Sequence, residues 1–377
     1  MRVLLYIDSL KAGGAERVTL QWALWLHQTG HEALVLTRQG PERDFYPVPE
    51  GVQRIVERDS GRSLGWFGFP WRLRSLRREL AGRRVDLAIG MTTLPAIKLL
   101  LAARGLGLPV VVSERNYPPA KPPSAPWRLL RRLAYPGARL HLVQTETIAA
   151  WLRQRRLARR TAVLANAIPW PLPRFEPQLD PDARLAPGER LLLAVGTKVG
   201  QKGFDRLVQA FAQVASRHPD WRLVVLGIDA RPYHGSDQVA GLRALLPADD
   251  PAQARLLFPG KAGNVADWYA RADLFVLSSR YEGFPNVLLE AMASGCPCLA
   301  IDCPTGPGEL IHHGRDGWLL PADADVAALA DALDRLMGDA AGRRELGRAA
   351  VEVRERFAPA VIRAGLLAAL HPLVGRP

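Results

Sequence analysis

Two doubly wound α/β domains are the fold class this sequence predicts, on three observations. Short runs rich in Val, Leu and Ile, with little polar alternation, have the pattern of strands buried on both faces of a parallel sheet, and each is followed by a segment of helical period. This rhythm runs twice along the chain, interrupted once by a stretch holding Pro169, Pro171, Pro173, Pro177, Pro181 and Pro187 among few apolar periods. A length of 377 residues exceeds what one ordinary core organises, and a hydrophobic content of 48% is enough to fill two.

The first run begins at the strand Arg2 to Ile7, after which Gly13-Gly14-Ala15-Glu16-Arg17-Val18 opens a helix. Glycines at such a turn let backbone approach a ligand closely. Further strands are expected at Glu32 to Thr37, Gln53 to Val56, Val85 to Ile89, Val110 to Ser113 and Leu140 to Gln144. Helices are expected near Trp22 to Gln28, Trp71 to Leu80, Ala96 to Arg104, Trp127 to Leu133 and Ile148 to Arg155. The second run has strands at Arg190 to Val195, Arg222 to Leu226, Ala254 to Phe258, Leu274 to Leu277 and Cys298 to Ile301. Its helices fall at Phe204 to Ser216, Val239 to Leu246, Val265 to Ala270, Val326 to Met337 and Ala341 to Val351, with one more beginning at Pro285. The expected division is a domain over 1–170, a proline-stiffened linker over 171–189 and a second domain over 190–357. A last helix within 358–377 is expected to pack back on the first domain. Such a pair of sheets implies a central cleft where their carboxyl ends face each other.

Composition excludes several classes. No run approaches the roughly 18 apolar residues of a membrane span, and Asp8 interrupts the segment where a signal peptide would stay apolar, so a cytoplasmic chain is expected. Cys296, Cys298 and Cys303 lie close together with no second pair, which reads as buried thiols rather than a disulfide framework or a zinc site. Charge is uneven: residues 1–180 carry 28 Lys and Arg against 14 Asp and Glu, whereas 181–377 carry 22 against 23. An anionic partner for the first half follows.

The most informative stretch is Ser279 to Gly295. The apolar run 273–277 empties into a polar turn, and a helix then starts with Pro285 near its first position, where a missing N–H costs nothing. This junction offers backbone N–H groups and the positive end of a helix dipole to a phosphate or sugar oxygen. Glu282 stands in the turn and Glu290 two turns into the helix, a spacing that brings both toward one face. The alternative is a capping Glu282 and a solvated Glu290. Lys202 comes next, in a polar loop before a helix beginning near Gly203, where an ammonium and a helix N-terminus suit a diphosphate.

The segment Glu282-Gly283-Phe284-Pro285-Asn286-Val287-Leu288-Leu289-Glu290-Ala291-Met292-Ala293-Ser294-Gly295 resembles the signature of the family 4 retaining glycosyltransferases of the GT-B fold. Further matches run in order through Gly13-Gly14-Ala15-Glu16-Arg17, Asn166, Val195-Gly196, Gln201-Lys202-Gly203-Phe204, Phe258-Pro259-Gly260 and Asp316-Gly317-Trp318-Leu319. The resemblance implies that Glu282 contacts the donor sugar and Glu290 the ribose hydroxyls. The backbone of Phe284, Pro285, Asn286 and Val287 would hold sugar and diphosphate, with Gly13, Gly14 and Gly196 also at the donor, and Lys202 would neutralise the leaving diphosphate. Where relatives carry an Arg after the glycine, this chain has Thr197 and then Lys198, a candidate substitute.

Where many relatives place a histidine, the chain reads Ser113-Glu114-Arg115-Asn116, similar to a branch of N-acetylhexosamine and galactose transferases of polysaccharide and lipid-linked glycan assembly. Glu114 can accept a proton from the acceptor hydroxyl, as a catalytic residue beside Glu282 and Lys202, or form a salt bridge with Arg115 or another Arg. Asp180-Pro181-Asp182 and Asp323-Ala324-Asp325 have an Asp-x-Asp form but sit at a turn and before a helix, so caps are expected and no metal or other cofactor. Adjacent His312 and His313 diverge on any regular element.

The implied reaction is transfer of a hexose or N-acetylhexosamine, with retention, from a UDP-sugar to a lipid-linked saccharide or growing polysaccharide in bacterial surface glycan biosynthesis. Trp66 to Arg78, Trp127 to Arg132 and Trp151 to Arg156 set aromatics beside cations, which suits an anionic membrane surface, or packs the aromatics in the core and solvates the arginines. No nucleic-acid module accompanies the charge. Rival readings are a UDP-sugar epimerase on the same fold and a non-catalytic nucleotide-sugar-binding partner subunit.

Overall fold

The computed structural model describes residues 1–11, 13–57, 68–229 and 237–374. The chain divides into two compact units, one of residues 1–166 with 360–377 and the other of 167–359.

In the first unit the strands are β1 (Arg2–Ile7), β2 (Glu32–Thr37), β3 (Gln53–Val56), β4 (Leu87–Met91), β5 (Val110–Glu114), β6 (Leu140–Val143) and β7 (Thr161–Val163). All pair in parallel in the order β3-β2-β1-β4-β5-β6-β7. The helices are α1 (Gly14–Gln28), α2 (Phe69–Gly82), α3 (Thr93–Ala103), α4 (Ala125–Ala134) and α5 (Glu146–Gln154). The core is packed from Leu4, Tyr6, Leu34, Val112 and Ile148. β4 starts two residues later than expected; just ahead of it, Asp86 bonds Arg2 of β1 twice, its N–H to the Arg2 carbonyl at 2.9 Å and its carboxylate accepting the Arg2 N–H at 2.7 Å. β7 is a three-residue edge strand that shows no period in the sequence.

The second unit has β8 (Arg190–Val195), β9 (Trp221–Leu226), β10 (Leu256–Gly260), β11 (Leu274–Leu277), β12 (Cys298–Ile301) and β13 (Trp318–Leu320) in a parallel sheet ordered β10-β9-β8-β11-β12-β13. Its helices are α6 (Val199–Lys202), α7 (Phe204–Ala215), α8 (Gln238–Arg243), α9 (Val265–Arg271), α10 (Asn286–Ala293), α11 (Pro307–Leu310), α12 (Val326–Gly338), α13 (Ala340–Ala350) and α14 (Val353–Arg356). Phe204, Phe211, Trp221, Leu223 and Leu333 pack its core. The Asp325 carboxylate accepts the Ala328 N–H at 2.8 Å and so caps α12. The final helix, Pro359–Leu370, carries all but its first residue in the first unit.

The proline-rich stretch expected as a linker is fastened to the second unit. The Phe175 N–H reaches the Gly263 carbonyl at 3.1 Å, and the Leu179 carbonyl accepts from Trp268 Nε1 and Asn264 Nδ2, both at 3.0 Å. Prolines that cannot donate to a ladder therefore still leave carbonyls that tie an extended segment down.

In both sheets the strand order reverses beside the first strand, between β1 and β4 and between β8 and β11. Loops leaving adjacent strands diverge there, which opens a crevice at their carboxyl ends.

Candidate functional site

The loops after β8 and β11 meet at the reversal point of the second sheet. The β8 loop passes through Gly196 and the short α6, then turns at Gly203, whose φ of +64 lies in the left-handed region. A Cβ there would sit 2.0 Å from the Ser278 carbonyl oxygen, so glycine is required on two counts. Lys202 ends α6, and the helix expected to begin at Gly203 is α7 beyond it. The lysine stem lies over Gly196, where a Cβ would come within 2.9 Å of it.

Lys202 Nζ contacts Glu282 Oε1 at 2.8 Å. Ser279 Oγ donates to the same oxygen at 2.5 Å, and Thr305 Oγ1 donates to the Glu282 backbone carbonyl. Glu282 is 5% exposed, so this pair stands largely apart from water with its hydrogen bonds made. The two loops are also bonded to each other. Arg206 donates to the Ser278 carbonyl at 2.8 Å and the Ser279 carbonyl at 2.7 Å, and Ser278 Oγ donates to the Lys202 carbonyl at 2.9 Å. Arg280 forks onto Asp205 at 2.7 and 2.6 Å, which raises the pKa of Arg280 and lowers that of Asp205.

Other expected residues take different places. α10 starts at Asn286 with Pro285 just ahead of it, and the Asn286 N–H is spent on the Phe284 carbonyl at 2.9 Å. Pro285 has no N–H, so Phe284 and Val287 keep the backbone donors of the four expected. The Phe284 ring is buried, edge-on to Phe357 at 6.1 Å. Glu290 takes a weak 3.4 Å hydrogen bond from Tyr269 OH of α9. Glu282 stands in the turn ahead of the helix, held by Lys202 and Ser279, and Glu290 lies within α10. Lys198 is exposed at the start of α6.

Gly13, Gly14 and Glu114 belong to the first unit. Gly13 precedes α1 in extended backbone, and the Glu16 carboxylate curls so close that a Cβ on Gly13 would meet it at 2.2 Å. Glu114 ends β5 with 0% exposure; its carboxylate accepts from Thr93 Oγ1 and Tyr135 OH, each at 2.8 Å. Burial raises its pKa. Thr93 and Tyr135 close over this carboxylate; among the described residues it forms no salt bridge with Arg115, and Arg131 is the arginine within electrostatic reach. Just before α3, Thr92 has φ +70, a strained value for a β-branched residue at a strand end.

Of the aromatic and basic segments, Trp66 and Phe67 lie outside the described residues. Trp127 packs on Phe69 at 5.4 Å, and Trp151 is covered by Arg131 and Arg155 at 5.1 and 5.2 Å. Arg77 donates to the Ala102 and Arg104 carbonyls at the end of α3, at 3.0 and 2.5 Å. The outward apolar residues are instead Leu129 and Leu133 of α4, 60% and 69% exposed, flanked by exposed Arg128 and Arg132.

Asp182 pairs with Arg271, and His312 Nδ1 with Asp316 at 2.7 Å. Among the described residues no cluster of three His, Cys, Asp or Glu could hold a metal ion, and no helix is long and apolar enough to cross a membrane. The three cysteines are free and buried.

Residues 12–169 match the family described as Glycosyltransferase Family 4, and residues 189–339 that described as Glycosyl transferases group 1. A GDP-mannose-dependent alpha-mannosyltransferase of Mycobacterium tuberculosis is 31% identical over 86% of this chain and 85% of its own length. An amylovoran biosynthesis glycosyltransferase of Erwinia amylovora is 24% identical over 96% of this chain and 97% of its own. An exopolysaccharide phosphotransferase of Streptomyces coelicolor is 34% identical over 77% of this chain, which spans only 29% of that protein. Among solved structures, the Anabaena protein HepE in complex with UDP and glucose has a TM-score of 0.79 at 20% identity, covering 99% of this chain and 100% of that one.

Proposed function

We propose, from the premise that the chain belongs to the family 4 glycosyltransferases and has their GT-B fold of two Rossmann-like units, that it transfers a hexose or N-acetylhexosamine from a nucleoside diphosphate sugar, UDP-linked, to a lipid-linked or growing polysaccharide acceptor in bacterial surface glycan biosynthesis. The observation that carries this reading is the Lys202–Glu282 pair at the reversal point of the second sheet, beside the N-terminus of α10. Departure of a nucleoside diphosphate gathers negative charge on phosphate oxygens. Lys202 and the N–H groups of Phe284 and Val287 are fixed donors for that charge. Glu282 sets the lysine's position and offers acceptor oxygens to sugar hydroxyls, and Glu290 does so for the ribose. Among the described residues no second carboxylate stands with Glu282 to act as a covalent nucleophile, so attack on the face the diphosphate leaves, with retention, is favoured. With a lysine supplying the cation, turnover is expected to be unchanged by EDTA.

Relatives support the polysaccharide reading and divide on the base: the Erwinia protein is named for amylovoran, the Anabaena structure holds UDP and the Mycobacterium protein uses GDP-mannose. The last supports a second reading, mannosyl transfer from GDP-mannose. A panel of UDP- and GDP-sugars, read by thermal stabilisation and donor hydrolysis, tests both; no stabilisation by any of them sinks the proposal. Interconversion of UDP-sugars without acceptor would favour an epimerase, and binding with no turnover a non-catalytic subunit.

For the membrane, the contact is α4, which holds the Trp127 to Arg132 segment, with Leu129 and Leu133 rather than the tryptophan entering the interface and Arg128 and Arg132 meeting anionic headgroups. Co-sedimentation with anionic liposomes should fall in Leu129→Ser/Leu133→Ser; binding that persists removes α4 from the contact.

A further inference from the structure

The tetrad Ser113-Glu114-Arg115-Asn116 divides its work in a way the sequence does not reveal. Glu114 is locked by Thr93 and Tyr135. Arg115, the next residue, stands just beyond the end of β5 with only 9% of its surface accessible. Its guanidinium lies over the Trp22 ring at 5.3 Å, and one Nη donates to Asn166 Oδ1. Trp22 comes from α1 and Asn166 from the segment after β7, so three distant parts of the first unit converge on one cation.

Both partners are neutral. Among the described residues no carboxylate forms a salt bridge with Arg115, and burial alone pulls its pKa down to about 9. Other buried arginines have carboxylates near them: Arg343 lies within electrostatic reach of Asp273 and Asp339, and Arg131 within reach of Glu114. A cation kept at a strand-end rim, fixed by an amide and a ring and left without a counter-charge, is arranged as a receptor for an anion. Strained Thr92 at the end of neighbouring β4 marks the same rim.

We propose that Arg115, held by Asn166 and Trp22, binds an anionic group of the acceptor, a phosphate or a carboxylate. The word acceptor rests on the glycosyl-transfer reading above; the anion site does not.

The test uses the full chain carrying Lys202→Ala, which removes the cation of the other unit, titrated with inorganic phosphate and with acetate by calorimetry. Adding Arg115→Gln is expected to weaken the tighter anion by about ten-fold or more, and adding Asn166→Ala, which leaves the charge in place, by a smaller factor. The tighter of the two anions identifies the group. Equal affinity with and without Arg115 overturns the site. Arg115→Met gives a second readout: phosphate should raise the melting temperature of the chain that keeps Arg115 and leave that of the variant unmoved, and an equal rise in both overturns the proposal. Anion binding at Arg115 in a chain that hydrolyses no nucleotide sugar keeps the site and removes its assignment to an acceptor.

Discussion

The two units share one plan, a parallel sheet whose order reverses beside its first strand, yet they treat charge at the strand ends in opposite ways. In the second unit the loops after β8 and β11 are stitched together and their central cation meets a carboxylate, Lys202 on Glu282. In the first unit Glu114 is covered by two hydroxyls, with Arg131 within electrostatic reach, and Arg115 by an amide and a ring, so the direct partners of both are neutral groups. An ion pair can trade its partner for a ligand with little change in net charge, which suits a site where charge develops during reaction. A lone charge held by neutral dipoles suits binding of a group already charged.

The largest expected effect separates the two carboxylates. Lys202→Ala leaves Glu282 nearly buried without its counterion and should lower turnover by about two orders of magnitude or more. Lys202→Arg should not restore it, since the lysine stem fills the groove over Gly196 and a guanidinium does not follow the same path. Glu114→Gln, which keeps one acceptor oxygen and offers an amide N–H to the other hydroxyl, should leave turnover within about ten-fold. Steady-state kinetics of donor consumption read all three. A loss for Glu114→Gln as large as that for Lys202→Ala would erase the contrast and return Glu114 to catalysis.

Two glycines draw the same line in stability. Gly203→Ala forces a Cβ against the Ser278 carbonyl in left-handed backbone and should cost about 2–3 kcal/mol. Gly13→Ala is met only by the end of the Glu16 side chain, in extended backbone, and should cost less than about 1 kcal/mol. Chemical denaturation midpoints measure both. Near-equal costs would mean that the Gly13 turn is as tightly built as the Gly203 loop.

The same contrast explains how much could be read in advance. The strand, turn and helix around 274–293 are contiguous, so periodicity exposed them, and Lys202 and Glu282 were each singled out by a motif, whereas the ion pair that joins them is seen only in the fold. Ser279 was legible in principle, since a serine three positions before a glutamate reaches it across a turn. Arg206, Arg280 with Asp205, and Thr305 were not, because their contacts run to backbone or to partners from 23 to 75 residues away. Strands β7 and β13, three residues each, are too short to show a period. In the first unit, the closure of Thr93 and Tyr135 over Glu114 depends on β4 and β6 flanking β5, a topological fact that no local pattern states.

The smallest effect tests whether the polar interior of the first unit is sealed as its contacts indicate. His141, in the middle of the sheet at 0% exposure and 5.2 Å from the Tyr135 ring, has both ring nitrogens buried without a hydrogen-bond partner among the described residues, and burial lowers its pKa to about 4. The unfolded chain, with an ordinary histidine, then binds more protons than the folded one between roughly pH 6.5 and 4, so stability contributed by the neutral ring is lost as pH falls through that window. Glu114 acts in the opposite sense, since its raised folded pKa makes protonation stabilising in acid, and the wild-type curve alone mixes the two. His141→Leu separates them. The stability difference between variant and wild type should move by up to about 2 kcal/mol in favour of the variant between pH 7 and 5. A difference that stays flat would require an acceptor on the imidazole that holds its proton.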